Sequence, residues 1–187
     1  MHEIRLISPT TEYMEQLKTY KKEMIANSSG MDGCGNLKNI SVDAWIKESE
    51  DHRQGKNLPQ GYVPATQFIA VRNSDGKIVG MLQIRHSLND YLLKIGGHIG
   101  YSVAIDERRK GYAKEMLKQA LTECGRLGIQ KVLVTCLKGN EGSGKTILAN
   151  NGILENEVDD EGRTLQRYWI SLGSRPSVAD SSERQGL

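Results

Sequence analysis

Aromatic residues are scarce in this chain of 187 amino acids, which contains one Phe, two Trp and seven Tyr. With so few large rings, a core must be built mainly from Ile, Leu, Val and Met. The chain is long enough for one domain of ordinary size to bury such a core. Its hydrophobic fraction of 37% and charged fraction of 26% are typical of a soluble globular protein.

The sequence also lacks long apolar runs and a strong excess of charge. No run approaches the ~20 residues needed to span a bilayer. The first residues, Met-His-Glu-Ile-Arg, show neither the basic segment nor the apolar core of a signal peptide. The net charge of +2 gives no indication of a nucleic-acid or acidic-membrane partner. We therefore expect a cytoplasmic protein with neither partner.

Cysteine and histidine are few and show no metal-binding or disulfide pattern. Cys124 lies on an apolar helix face and Cys136 in an apolar strand, so both are expected to be core thiols. Cys34 lies in a Gly-rich loop and is not assigned. The four histidines are scattered: His2, His52, His86 and His98. This usage predicts a reducing compartment and no metal site.

The most informative segment runs from Gly100 to Leu117. It combines an apolar strand, a basic turn that ends in glycine, and an amphipathic helix. Gly111 lets the backbone pass close to a bound group, because glycine has no Cβ. The first N–H groups of the helix are unpaired and favour anions. Positive charge is added there by Arg108, Arg109, Lys110 and Lys114. The segment predicts a phosphate or pyrophosphate site.

The patterns around this segment predict an α/β domain. Strands are predicted at 3–7, 67–71, 78–84, 98–104, 131–137, 153–158 and 165–172, with a weaker segment at 91–95. Helices are predicted from about 10 to 27, from Ser41 onward, after Gly111 as far as Gly128, and over 143–150. No linker divides the chain, so we expect one domain over 1–172 and a disordered tail over 173–187.

A second motif, Gly139–Thr146, fits G-x-x-x-x-G-K-[ST], the phosphate loop of nucleotide triphosphatases, and follows an apolar strand. As such a loop, it would place Lys145 on the terminal phosphates and Thr146 on a magnesium ion. The context argues against a triphosphatase, because too few residues follow for the usual parallel sheet. No later strand ends in an Asp placed to reach the magnesium.

The pattern Arg108-x-x-Gly111-x-Ala113 after a strand resembles the acyl-CoA signature Q/R-x-x-G-x-G/A of the GCN5-related N-acetyltransferases. The resemblance continues through Lys138–Ser143 and Asn150–Gly152 and covers roughly residues 66–172. It implies an α/β fold with a mixed central sheet of six to seven strands and about four helices. In that fold, strands four and five splay around acetyl-CoA.

The resemblance further implies acetyl transfer from acetyl-CoA to an amine by direct attack in a ternary complex. It places the backbone near Tyr101 and Val103 beside the pantetheine arm and the thioester. The turn would hold the pyrophosphate, and Asn140 would touch the pantetheine. The implied cofactor-binding residues are Val103, Arg108, Arg109, Lys110, Gly111, Tyr112, Ala113, Lys114, Asn140 and Ser143.

The catalytic groups are less well defined. Many members of the family protonate the leaving thiolate with a Tyr whose position is occupied here by Ile147. Tyr101 and Tyr168 are the candidate substitutes. His98 could act as a base near neutral pH, although a lone His in a strand is more often simply packed. Glu107, in the signature turn, is expected to be structural.

The acceptor is a small-molecule or peptide amine that the sequence does not identify. In this fold the first two helices and their connection commonly line the acceptor site, so Ser29–Asn36 is either a substrate-contacting loop or a mobile surface loop. Homodimers are common among relatives, and both oligomeric states stay open. The same residues are also compatible with a catalytically inactive acyl-CoA-binding module, or with an interaction protein whose basic turn is merely solvated.

Overall fold

The computed structural model describes residues 3–173. The tail predicted over 173–187 lies outside the described residues from 174 onward. The prediction that 1–172 form a single domain stays a prediction. No helix within the described range combines the length and apolar character needed to cross a bilayer.

Seven strands and four α-helices follow one another over the described residues. In chain order they are β1 (Ile4–Ile7), α1 (Met14–Ala26), α2 (Val42–Arg53), β2 (Ala65–Arg72), β3 (Ile78–Arg85), β4 (Ile99–Val103), α3 (Tyr112–Arg126), β5 (Lys131–Leu137), α4 (Glu141–Leu148), β6 (Ile153–Asp160) and β7 (Arg163–Ser171). Short 3₁₀ turns at Thr11–Tyr13 and Ile105–Glu107 and a π-helical turn at Leu92–Gly96 complete the path. The α/β class predicted from the sequence is confirmed.

The strands form two antiparallel sheets, in the orders β1-β2-β3-β4 and β5-β7-β6. The sheets meet where the His98 N–H donates to the Leu133 carbonyl at 2.8 Å. The Leu133 N–H in turn donates to His98 Nδ1 at 2.9 Å. No ladder joins β4 to β5 within residues 3–173, so the predicted splay appears as a gap between the two sheets.

Helices cover both faces of the four-stranded sheet. Successive strand residues point to opposite sides, so each strand contributes side chains to both layers. On β3, Met81 packs with α1 and α2, whereas Leu82 packs with α3. The helical spacing on α3 buries Met116, Leu117, Ala120 and Cys124. The face of α1 and α2 contributes Leu17, Tyr20, Met24 and Trp45. Each large buried side chain contributes roughly 1.5–3 kcal/mol to folding.

Local details both match and refine the sequence predictions. Ser41 caps α2, its Oγ accepting the Ala44 N–H at 3.3 Å. The weak segment near 91–95 is the π-helical turn. The last hairpin turn has fewer residues than the predicted strand bounds imply, since β6 ends at Asp160 and β7 begins at Arg163. The two turn residues, Glu161 and Gly162, take positive φ values of 52° and 82°. Such a pair closes a two-residue hairpin that matches strand twist.

The cysteines are buried in the core. Cys124 and Cys136 occupy the predicted core positions, and Cys34, unassigned from the sequence, is also buried. Desolvation raises the pKa of the Cys34 thiol to about 12. It is therefore a neutral packing group at physiological pH.

Candidate active site

The gap beside β4 is lined by strand backbone that is paired with no neighbouring strand within residues 3–173. The Arg85 N–H donates to the His98 carbonyl at 2.8 Å, and the Ala104 N–H donates to the Val79 carbonyl at 2.9 Å. In an antiparallel ladder this register turns the backbone groups of alternate residues away from the partner strand. Tyr101 and Val103 therefore direct their N–H and C=O groups into the gap.

The turn after β4 is an open helix start. Arg109 and Gly111 take positive φ values of 64° and 88°, and a Cβ built at Gly111 would meet nothing within 4 Å. The Glu115 N–H donates to the Gly111 carbonyl at 3.3 Å, the first such bond of α3. The amides at the start of the helix, from Tyr112 to Lys114, thus have no helical carbonyl to bond. Free amides at a helix start favour anions, and the phosphate site expected at this turn stays a prediction.

A buried carboxylate anchors this turn. Glu107 is 3% exposed, and its oxygens accept from Lys77 Nζ at 2.7 Å, Lys110 Nζ at 2.9 Å and Arg72 Nη1 at 2.9 Å. The hydrogen bond from Lys77, then that from Lys110 and the neighbouring charges, lower the pKa of Glu107 to about 2. Glu107 therefore holds the end of β2, the β2–β3 turn and the signature turn together, which fits the structural role expected for it.

The predicted cofactor residues of the turn are placed differently from one another. The Arg108 guanidinium folds back, with Nε donating to the Val103 carbonyl at 3.2 Å and Nη2 to Ser29 Oγ. Tyr112 is buried, and its hydroxyl accepts from Arg72 and donates to Glu3 at 3.0 Å. Tyr112 can therefore offer a ligand only its backbone. The other predicted residues of the turn are exposed or half-buried: Arg109, Lys110, Gly111, Ala113 and Lys114.

The opposite wall of the gap is the start of α4. Asn140 Oδ1 accepts the Ser143 N–H at 3.1 Å and caps the helix. Ser143 Oγ lies 2.7 Å from the Tyr101 hydroxyl, so a side-chain pair connects β4 with α4. Asn150 Nδ2 donates to the Lys114 carbonyl at 3.2 Å and to the Thr146 carbonyl at 3.0 Å. Asn150, which belongs to the resemblance but had no role assigned from the sequence, thus ties α4 to the first turn of α3.

The two candidate tyrosines differ in their surroundings. Burial raises the pKa of Tyr101 to about 12, so its hydroxyl keeps its proton at neutral pH. Tyr168 is buried, and its hydroxyl donates to Gln166 Oε1 at 2.8 Å. Ile147, in place of the family's acid, is fully buried. Tyr101 is thus the tyrosine whose backbone lines the gap and whose hydroxyl reaches its far wall.

His98 is built into the junction between the sheets. Its Nδ1 accepts the Leu133 N–H, which leaves the ring proton on Nε2. Burial first, and the Arg85 charge second, lower the pKa of His98 to about 4. This placement gives no support to a general-base role and explains the residue as a structural connection.

The loop Ser29–Asn36 packs directly on β4. Gln67 Nε2 donates to the Gly33 carbonyl at 2.6 Å, and Trp45 Nε1 donates to the Cys34 carbonyl at 2.8 Å. Cys34 Sγ lies 3.3 Å from Ser102 Oγ. The loop therefore forms a wall over β4 on the face of α1 and α2. No group of three metal-ligating side chains occurs in the described part of the chain.

The sequence model of the acetyltransferase (GNAT) family matches residues 36–147, more than half of the chain. The chain belongs to this family, and the resemblance predicted from the signature is confirmed. No curated protein shows significant sequence similarity to it.

Solved acetyltransferases share the fold. The microcin C7 self-immunity acetyltransferase MccE, in complex with acetyl-CoA and AMP, matches with a TM-score of 0.67 at 19% identity over 91% of this chain and 93% of its own. The ribosomal-protein-S5-alanine acetyltransferase of Vibrio fischeri gives 0.68 at 13% over 91% and 94%. RimL, a ribosomal L7/L12 α-N-protein acetyltransferase in complex with coenzyme A, gives 0.66 at 15% over 91% and 95%.

The triphosphatase hypothesis receives no support. Six of the eight residues of the Gly139–Thr146 segment lie in α4, and the whole segment lies inside the matched family region. The preceding strand β5 pairs antiparallel with β7 and does not belong to a parallel sheet. Lys145 pairs with Glu141 at 3.0 Å on the surface of the helix.

Proposed function

We propose that this protein transfers an acetyl group from acetyl-CoA to a primary amine, by direct attack within a ternary complex. One observation carries the proposal: the gap lined by the backbone of Tyr101 and Val103 leads to an open helix start with unpaired amides. A ligand with an extended arm and a pyrophosphate fits this combination. The complexes of MccE with acetyl-CoA and of RimL with coenzyme A support the same choice of ligand.

In this proposal the pyrophosphate lies on the amides that follow Gly111, with Arg109 and Lys114 adding positive charge. The pantetheine arm adds to the free edge of β4, bonding the backbone of Val103. Asn140 contributes its Nδ2, because its Oδ1 already caps α4. The remaining predicted residues Arg108, Lys110, Tyr112, Ala113 and Ser143 shape the turn and the walls.

The chemistry needs positioning more than covalent machinery. A neutral amine nitrogen forms a bond to the thioester carbon, the carbon–sulfur bond breaks with its electron pair leaving on the thiolate, and the nitrogen releases its extra proton to water. A backbone N–H of β4 stabilises the carbonyl oxygen as its charge grows. We assign Tyr101 as the proton donor to the thiolate, because its backbone lines the gap and its protonated hydroxyl reaches the far wall at Ser143 Oγ, 2.7 Å away.

Thermal unfolding with acetyl-CoA, with CoA, and with ATP plus magnesium tests binding. At 100 times its Kd a ligand stabilises the fold by ~2.7 kcal/mol. We expect stabilisation by acetyl-CoA and CoA alone, and thiol release when an amine panel is added. Stabilisation by ATP–magnesium alone would contradict the proposal. Stabilisation by acetyl-CoA without thiol release for any amine would favour the inactive binding module.

The compartment proposed for this activity is the cytoplasm. The three cysteines are all buried as free thiols, with no disulfide among them. Free thiols are typical of a reducing compartment. Labelling of the protein in fractionated cells would test the assignment, and recovery in an oxidising compartment would contradict it.

A further inference from the structure

A guanidinium group lies against β4 on the side of the acceptor loop. Arg85 ends β3, and its Nη1 donates to the carbonyls of Gly96 and Gly97 at 2.8 and 3.1 Å. A Cβ built at Gly100 would lie 3.6 Å from Arg85 Nη2. The cation therefore sits beside the strand residue that precedes Tyr101.

Within residues 3–173, three arginines are not exposed: Arg72, Arg85 and Arg167. Arg85 differs from the other two in its partners. Arg72 pairs with Glu107 at 2.9 Å and Arg167 pairs with Glu155 at 2.6 Å. Within residues 3–173 Arg85 has no carboxylate at ion-pair distance, and its guanidinium makes no hydrogen bond beyond the two carbonyls. Desolvation lowers the pKa of Arg85, because burial disfavours the charged guanidinium. A partly buried, unpaired cation is costly unless an anion joins it.

An acidic side chain lies on the same side of β4 as Arg85. Desolvation lowers the pKa of Arg85, and the charge of the exposed Asp32, in the loop over β4, partly offsets that lowering. The same carboxylate adds to the effect of burial in raising the pKa of Tyr101. The Tyr91 ring is exposed at the start of the π-helical turn. The acceptor side of β4 therefore carries a cation beside Gly100 and a carboxylate in the loop that packs on the strand.

We propose that the acetyl acceptor is a small zwitterionic amine, whose carboxylate or phosphate group pairs with Arg85 while its amine faces Asp32 and the thioester. This rests on the proposed function. A guanidinium matches the planar geometry of carboxylate and phosphate oxygens and binds them with two parallel hydrogen bonds. Asp32 pairs with the ammonium form on arrival, and release of one proton to water then frees the nitrogen for attack. A polycation with no anionic group would meet the Arg85 charge unpaired.

The first test compares matched acceptors on the unmodified protein. The pairs are glycine with glycinamide, and O-phosphoethanolamine with ethanolamine, with spermidine as the polycation. Thiol release should give a kcat/KM at least tenfold higher for the anionic member of a pair. Glycinamide also mimics a protein N-terminus. Equal or better use of the uncharged members, or of spermidine, would overturn the proposal.

The second test uses Arg85→Gln, which removes the positive charge and keeps a polar side chain at the end of β3. The KM for the anionic acceptors should rise at least tenfold, with the uncharged members and acetyl-CoA binding changed less than twofold. Arg126→Gln, at the exposed end of α3, is the control and should change nothing. An equal loss for both members of a pair would mean that Arg85 only braces the turn, and would overturn the proposal.

Failure of the proposed function is distinguishable from failure of this inference. If acetyl-CoA binds but no amine releases thiol, transfer itself is refuted. Calorimetry of O-phosphoethanolamine with the acetyl-CoA-loaded protein then judges the pocket. Binding that Arg85→Gln weakens tenfold would still support an anion-binding pocket, and no binding would refute it. Should Arg85→Gln fail to fold, the matched acceptors on the unmodified protein decide.

Discussion

Two glycine-containing segments lie on either side of β4, and they use glycine for opposite purposes. Gly111 in the signature turn and Gly33 in the loop Ser29–Asn36 both have positive φ, at 88° and 76°. A Cβ at Gly111 would meet nothing within 4 Å, whereas a Cβ at Gly33 would overlap the Gly100 carbonyl. One glycine therefore keeps space for a ligand. The other keeps space for the protein's own backbone.

The difference explains why one segment can be recognised in the sequence and the other cannot. The signature turn depends on neighbours a few residues away, so its pattern is local. The loop depends on Gln67, Trp45 and Ser102, which are distant in sequence and reach it only after folding. Substitutions in the loop should therefore change the stability of the fold, whereas substitutions in the signature turn should change ligand binding.

The largest effect is expected for Gly33→Ala. The new Cβ overlaps β4 and also takes a left-handed conformation, costs of ~1–3 and ~1–2 kcal/mol. We expect the free energy of unfolding to fall by about 3 kcal/mol and the Tm by roughly 10 °C. Gly61→Ala is the matched control, because its φ is 82° with nothing within 4 Å. An equal change in both variants would show that the loop does not pack on β4.

The next largest effect is expected for Glu107→Gln, which leaves three cations without their shared carboxylate. We expect a loss of about 2 kcal/mol in unfolding free energy at pH 7. The folded pKa of about 2 lies below the unfolded value of about 4.3, so this contribution is complete above the unfolded value. It is lost as the pH falls through the folded pKa.

Urea unfolding between pH 7 and pH 2 checks this dependence. The difference between the unmodified protein and Glu107→Gln should be constant down to about pH 5 and should shrink below that. A difference that persists unchanged at the lowest pH would contradict the ion-pair account of the turn.

A smaller effect is expected for Tyr101→Phe. Water can replace the hydroxyl, because a thiolate is a good leaving group, so kcat should fall about tenfold with the KM for acetyl-CoA within twofold. Tyr168→Phe is the control and should leave kcat unchanged, since its hydroxyl is bonded to Gln166. Steady-state thiol release measures both variants. An unchanged kcat in Tyr101→Phe would remove this residue as the acid.

Local signals account for what the sequence predicted well. The bounds of β5 are those predicted, because a strand buried on both faces is apolar nearly throughout. The start of α3 follows from its glycine and its amphipathic spacing. The segment near 91–95 is harder to predict, because a π-helical turn has no distinctive periodicity over so few residues.

The polar part of the site could not be read from local patterns. Arg85, Asp32 and Asn150 are each ordinary surface residue types in the sequence, and their roles come from contacts across β4 or between helices. His98 shows the reverse case. Its residue type suggested acid–base chemistry, but its place at the junction of the sheets fixes Nδ1 on a backbone N–H.

The most direct test of the central assignment is calorimetric titration of acetyl-CoA into the unmodified protein, Gly111→Glu and Gly162→Glu. Gly162 is also left-handed and open, at φ 82° in the β6–β7 turn, so its variant matches the added strain and charge. We predict that Gly111→Glu weakens binding at least 100-fold while Gly162→Glu changes it less than threefold. Full acetyl-CoA affinity in a folded Gly111→Glu protein would contradict a pyrophosphate site at the start of α3.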